Sequence, residues 1–277
     1  MRIDYHRTLI ADRVRNAALH AALAAAIKPG VTTVVDIGAG TGLLGLMASR
    51  LGARSVTLYE TAGVAGVAAR ILKANRARNC QLVQCHSTEM LDPERVDLVV
   101  SETLGNFALE ENIIATMNDA RARFLKPGGA MIPSAVAQFV APVITDRIHN
   151  ELVAWDDVGF GLDLAVARLM SLNNAYVRLF SPSDLLDGGA SAVAWDRVDF
   201  TRTEKANRKG EATWKVARSH TIYGFAVWWE ATLAPGDTCA VQPGLKHAIA
   251  PAMTGEASLF RIRNTDDPAG PTWKGNA

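Results

Sequence analysis

The stretch VVDIGAGTG, residues 34–42, decides how this chain reads. Its first half is apolar and β-branched around Asp36, as expected of a buried strand in a parallel sheet. Its second half sets glycines at 38, 40 and 42. Glycines so placed let the backbone reverse tightly and approach a ligand with no Cβ in the way. The helix read next, over about 42–51, aims its first free amides at the same place.

Flavin, nicotinamide and adenosylmethionine sites share such a turn, and two features separate them here. A dinucleotide fingerprint runs G-x-G-x-x-G, with a pyrophosphate on the helix N-terminus. This run is G-A-G-T-G, and Leu43 stands where the third glycine belongs. Glu60 closes the next strand, VTLYE (56–60), where a carboxylate accepts both ribose hydroxyls. Asp36 suits a positively charged ligand and would serve a pyrophosphate badly. The expected cofactor is S-adenosylmethionine, bound by Asp36, Gly38, Gly40, Gly42 and Glu60.

Outward from this turn, strands alternate with helices. Residues 9–28 read as a helix stopped by Pro29-Gly30, 31–37 as a strand and 61–76 as a helix. QLVQC (81–85) and DLVVSE (97–102) read as strands, followed by a helix over about 111–124. Lys126-Pro127-Gly128-Gly129 closes that helix, and AMIP (130–133) begins a further strand. This grammar predicts an α/β fold, a Rossmann-like parallel sheet covered on both faces.

After Pro133 the pattern changes. Residues 134–148, AWDRVDF (194–200), ATWKVARSHTIYGFAVWWEATL (212–233) and SLFRIRN (258–264) read as strands between turn-rich pieces. One amphipathic helix is read around Leu162 to Leu172. The expected organisation is an N-terminal helix (1–30), a Rossmann-like domain (31–133) and a mostly β second domain (134–277).

With 29 basic and 28 acidic residues, no global field steers the chain toward nucleic acid or an anionic membrane, and neither is expected as a partner. No apolar run approaches the length of a membrane span, and the N-terminus lacks a signal-peptide core, so the expected location is cytoplasmic. Cys80, Cys85 and Cys239 form no disulfide framework and read as small buried hydrophobes.

The second informative stretch is VDLVVSETLGNFALEEN, residues 96–112. Its strand delivers Glu102 at the C-terminal edge, where ligands sit in open α/β sheets. Gly105 permits a reversal, and the helix that follows returns Glu111 toward that edge. No histidine completes a metal-ligand pattern with the two acids, so no metal is expected. Glycoside-type acid and base work fits poorly beside a cofactor turn. A planar guanidinium, with its fork of N–H donors, matches two carboxylates well. Glu102 and Glu111 are therefore the candidate catalytic and substrate-binding residues. Glu110 reads as an ordinary charge at a helix N-terminus.

These stretches resemble the protein arginine methyltransferase family. Residues 34–60 resemble its cofactor motif and ribose-binding acid, and 96–112 its double-glutamate loop. ARARFLKPGGAMIPS (120–134) resembles the segment leading into its barrel, and HRTLIADRVRNAAL (6–19) the helix before its cofactor domain. The resemblance implies that Arg15 pairs with the cofactor's carboxylate and that His6 and Asp12 stand near the substrate. It also implies that Thr88 and Glu89 border the adenine, that the helix within 1–30 contributes to the cofactor site, and that 134–277 is a partial barrel-like substrate and dimerisation domain whose helical arm near 160–180 forms a homodimer. Thr103 departs from the family's aromatic residue at that place, and SETLGNFA (101–108) looks more like the branch making symmetric dimethylarginine. The family's Thr-His-Trp loop has only partial likenesses, in QPGLKHA (242–248) and PTWKGNA (271–277).

The implied activity is methyl transfer to arginine in a protein or peptide. Free arginine or a small guanidine is the alternative substrate. A non-catalytic binding protein and a nicotinamide oxidoreductase are the readings from other classes. The remaining candidates read as structural: the six tryptophans as barrel core or interface, His86 and His220 as packed groups, and Lys205, Arg208 and Lys209 as a solvated turn.

Overall fold

A computed structural model describes residues 3–234, 237–241 and 248–250. Two helices open the chain, α1 (Ile3–Ala11) and α2 (Arg13–Ala26). The sequence suggested one helix over 9–28. Asp12 divides it: its side chain accepts from the Arg15 amide at 3.0 Å and caps a new helix.

Ten elements in all lead through the first sheet. After α1 and α2 come β1 (Thr33–Ile37), α3 (Leu43–Arg50), β2 (Ser55–Tyr59), α4 (Ala65–Ala74) and β3 (Cys80–Val83). Then follow β4 (Val96–Ser101), α5 (Ile113–Arg123) and β5 (Leu125–Ile132). The strand order is β3-β2-β1-β4-β5 and every pair is parallel. β1 is buried along its whole length, as a central strand covered on both faces must be. The order reverses between β1 and β4, the switch point at which such sheets hold ligands.

β5 begins earlier than the sequence suggests. Pro127-Gly128-Gly129 reads as a breaker, yet the strand runs through it. The pairing jumps from Val96↔Leu125 to Leu98↔Ala130, so the extra residues are absorbed as a bulge.

The rest of the chain contains β6 (Ala135–Val143), α6 (Arg147–Leu152), α7 (Ala165–Leu172), β7 (Tyr176–Arg178), β8 (Val193–Asp199), β9 (Gly224–Ala234), β10 (Asp237–Val241) and β11 (Ala248–Ala250). They form a second sheet in the order β7-β11-β9-β6-β8, with β10 paired to β9. Strand β11 runs antiparallel to β7 and β9, and β10 antiparallel to β9. Residues 212–223, expected in a strand, are irregular up to Gly224. Their buried Ala212 and Trp214 mimic strand patterning, but the Trp214 indole donates to the Ser191 carbonyl at 2.7 Å instead of standing on a ladder. SLFRIRN, PTWKGNA, Trp273 and residues 242–247 lie outside the described residues.

The chain divides into two compact units. One comprises the chain up to Val136, Val198–Ala206 and Glu230–Val241. The other takes Ala137–Arg197, Asn207–Trp229 and, of the described residues beyond 241, 248–250. The division therefore differs from a single cut at 133. Within the first unit, Asn118 donates to the Glu204 carbonyl at 2.7 Å and accepts from its amide at 3.1 Å. The Ser134 amide donates to the Thr232 carbonyl and the Phe200 amide to the Ser134 carbonyl, each at 2.8 Å. These bonds tie the late segments to α5 and to the end of β5. The second unit has its own core of Ala141, Val143, Ile148, Phe180, Leu185 and Ala226. Trp228 packs against that core and stacks on Phe139. In the same unit Arg208, expected as part of a solvated turn, pairs with Asp196 at 2.6 Å.

Candidate cofactor and guanidinium site

A cavity of about 380 Å³ lies in the first unit, at the C-terminal edge of its sheet. Its wall takes groups from the ends of four neighbouring strands. Asp36 stands near the end of β1 and the turn from Gly38 to Thr41 follows it, Glu60 to Ala62 follow β2, Cys85 to Ser87 follow β3, and Glu102 to Leu104 follow β4. Leu43 and Leu44 of α3, Glu111, Thr116 of α5, and His6, Leu9, Ile10 and Arg15 complete it.

The glycine turn has a physical requirement at two positions. Gly38 and Gly40 both have positive φ, at 69° and 56°. A Cβ on Gly38 would drive into Thr103 Cγ2, and one on Gly40 would come within 3.0 Å of the His6 ring. The turn is thus close to the residue after Glu102 on one side and to α1 on the other. Gly42, expected at the cofactor, stands at the start of α3 with φ 84° and does not line the cavity. Space does not require glycine there, since a Cβ would meet Leu58 only at 3.4 Å, an ordinary contact.

Glu60 is buried and tied down. Its Oε2 accepts from the Gly40 amide and its Oε1 from the Ala62 amide, each at 2.7 Å. Each oxygen keeps a further lone pair, so the carboxylate still has capacity for two hydroxyl donors. Asp36 is buried beneath the turn, and its Oδ2 accepts from the Gly45 amide at 2.9 Å. Burial, with Glu60 and Glu102 nearby, pushes its carboxyl up to about 7 despite that bond.

This shift gives a signed prediction. The folded-state pKa lies above the unfolded value of 3.8, so the folded protein holds the proton more tightly. The resulting stability is full below pH 4 and is lost as pH rises through 7. Without cofactor, the protein should resist urea less at pH 8 than at pH 6. Asp36→Asn should flatten that dependence. An equally steep profile in the variant would refute the assignment.

Glu102 already faces a guanidinium. Arg15 Nη2 pairs with its Oε2, while Arg15 Nη1 donates to the Leu9 carbonyl at 3.0 Å. Burial pushes Glu102 up to about 7 against the pull of Arg15, and Glu111 raises it further. The two acids are therefore close enough to feel each other, and both line the cavity. Ser101 Oγ donates to the Ile37 carbonyl at 2.9 Å, fixing the end of β4 beside the glycine turn. Glu111 is exposed and has φ 60°, a left-handed conformation uncommon outside glycine, as found at sites that position a side chain.

Two expectations need correction, and Arg15 has a second partner. Asp12 caps α2 and is not part of the cavity wall, although its charge reaches Glu102. Arg15, expected on the cofactor's carboxylate, is engaged by Glu102, a pairing across 87 positions that no local pattern announces. Its Nε is nevertheless buried without a partner, a donor left for an anion. Thr88 and Glu89, expected at the adenine, are not part of the cavity wall. The Thr88 hydroxyl and His86 Nδ1 meet at 2.7 Å, and Glu89 accepts from the His86 amide at 3.3 Å. The wall at the end of β3 is Cys85, His86 and Ser87 instead.

S-adenosylmethionine fits this lining. Glu60 suits two ribose hydroxyls, the glycine turn gives close backbone approach, and Arg15 Nε suits a carboxylate. With an acidic pair at the adjoining strand end, the cavity is that of an adenosylmethionine-dependent methyltransferase. The family described as ribosomal protein L11 methyltransferase (PrmA) matches residues 18–156, half of the chain. Protein arginine N-methyltransferase 6 of Xenopus tropicalis is 33% identical over 244 residues, 85% of this chain and 72% of its own length. Protein arginine N-methyltransferase 1 of Dictyostelium discoideum is 26% identical over 84% of this chain and 69% of its own. Among solved structures, the Trypanosoma brucei PRMT1 enzyme-prozyme heterotetramer with AdoHcy shares the fold. Its TM-score is 0.77 at 21% identity, over 90% of this chain and 81% of that one. The chain carries a PrmA-type methyltransferase domain and belongs to the protein arginine N-methyltransferase family.

Proposed function

We propose that this protein transfers the methyl group of S-adenosylmethionine to a guanidinium nitrogen of arginine in a protein or peptide. The observation that carries this reading is Glu102, which holds a guanidinium at the strand end next to the glycine turn, with Glu111 acting on it electrostatically. When bound, the cofactor supplies a sulfonium methyl that is already reactive, so the protein's task is mainly orientation.

Glu102 anchors the substrate guanidinium through its N–H donors. Glu111 draws positive charge away from the attacking nitrogen and accepts its proton as the new N–C bond forms. A guanidinium is otherwise protonated near neutral pH, since its reference pKa is above about 12. Asp36 and Glu60 hold the cofactor from the β1 and β2 ends, and Arg15 takes its carboxylate through Nε. His6 backs the glycine turn.

The protein is proposed to be cytoplasmic and to act as a homodimer through the arm. Phe160, Leu162, Val166, Leu169 and Met170 are all exposed there, an apolar surface of the kind that partners cover. The test is labelled methyl incorporation into arginine-rich peptides, free arginine and small guanidines. Incorporation into peptide is expected. Labelling confined to the small molecules would replace the proposed substrate, and no labelling of any acceptor would overturn the activity.

A further inference from the structure

We propose that the basic surface at the N-terminal edge of the first sheet binds the phosphate backbone of a nucleic-acid duplex, without regard to base sequence. Over residues 37–88 the chain carries Arg50, Arg54, Arg70, Lys73, Arg76 and Arg78, and Glu60 is the one acid. Glu60 is buried on the cavity wall, at the opposite edge of the sheet. All six cations are exposed, and none forms an ion pair among the described residues. The near balance of 29 basic and 28 acidic residues over the whole chain conceals this local excess.

The fold gathers these cations. Arg54 and Arg78 stand two residues ahead of Val56 and Cys80, which are partners in the β2–β3 register. The Arg50 guanidinium donates to the Asn75 carbonyl at 3.2 Å, and the Asn79 amide side chain to the Ala53 carbonyl at 2.7 Å. The end of α3 and the turn after α4 are thereby tied side by side. Along α4, Arg70 and Lys73 are three positions apart and share a face that leads toward Arg76 and Arg78. Arg50 and Lys73 lie in the last turns of their helices, where a cation suits the dipole. No helix end accounts for Arg54, Arg70 or Arg78, and cations gathered in this way repel one another.

What the surface lacks selects its partner. None of the exposed large apolar side chains falls within 37–88, and the only Phe, Tyr or Trp there is Tyr59, buried against Phe124. Protein interfaces rely on apolar and aromatic anchors. Single strands stack their bases on exposed rings, and bilayers take up apolar side chains. A duplex needs only cations facing its phosphates. Five of the six are arginine, whose fork of donors matches a phosphate. Because the cavity lies at the other edge, a bound duplex leaves it free.

Fluorescence anisotropy with short labelled RNA and DNA duplexes of scrambled sequence tests this. The Kd should be about 1–100 µM near physiological salt and should weaken steeply as salt is added. Lys73→Glu/Arg76→Glu/Arg78→Glu should bind at least about tenfold more weakly, with a shallower salt slope. Arg54→Gln/Arg70→Gln, which removes charge and keeps length, should show the same trend. Arg76→Lys/Arg78→Lys should stay within about threefold of wild type, since the charge remains. Binding of either duplex supports the proposal, and the tighter one identifies the source of the phosphates. No binding by the wild type, or affinity unchanged in both charge-loss variants, would overturn it. So would tighter binding of a single strand or of polyglutamate. A lower mass of the variants by light scattering would make the surface a contact between subunits and overturn it as well.

Discussion

Glu111→Gln should lower the rate of methyl transfer by at least about a hundredfold and leave S-adenosylhomocysteine affinity within about twofold. The variant keeps the size of the side chain and removes its charge. Glutamine cannot draw charge from the guanidinium or take the proton released as the N–C bond forms. Glu111 is exposed at the cavity mouth and holds no described backbone amide, so the fold should not suffer. The two readouts separate chemistry from binding. Single-turnover transfer should fall while calorimetric binding of the product cofactor stays. Wild-type turnover in the variant would remove Glu111 from the mechanism.

Glu60→Ala should have the opposite profile, a loss of cofactor affinity of at least about a hundredfold. Its carboxylate bonds the Gly40 and Ala62 amides, so the change removes a ligand contact and loosens the turn that shapes the cavity. Hydrogen bonds to a charged group are worth about 1.5–3 kcal/mol each, so losing even one or two at the ligand accounts for this factor. Glu60→Gln offers an internal comparison, since its single carbonyl oxygen can keep one of the two amides. Its affinity should fall between wild type and alanine. Affinity unchanged in both variants would refute the ribose role.

The first sheet was largely legible because each strand end carries a local signal. Asp36, Glu60 and Glu102 each lie at or near the end of an apolar run, and the glycines mark the turn that leaves β1 beside the switch point. What stayed hidden depended on contacts distant in sequence or on direction. The Arg15–Glu102 pair joins residues 87 positions apart. Cys85, His86 and Ser87 line the cavity where the chain enters a short 3₁₀ turn over Ser87–Glu89, which no periodicity records. Arg123, whose grip on the Ser87 carbonyl sets that turn, reads in sequence as an ordinary cation near a helix end. Pro127-Gly128-Gly129 misled for a different reason. Residues that break a helix also make a bulge, and only the pairing with β4 distinguishes the two. In 212–223, apolar and aromatic residues fill a core without joining a ladder.

The return of Val198–Ala206 and Glu230–Val241 to the first unit also bears on how the protein is made. Domains commonly fold in order as the chain leaves the ribosome. Here the first unit is not complete in that order. When Val136 emerges, Asn118 and Ser134 still lack the Glu204 and Thr232 carbonyls that they bind in the finished structure. The unit whose sequence comes first therefore gains its full set of contacts only after residue 241 has been synthesised. Until then its five-stranded sheet, complete in its own pairing, lacks packing partners encoded more than sixty residues downstream.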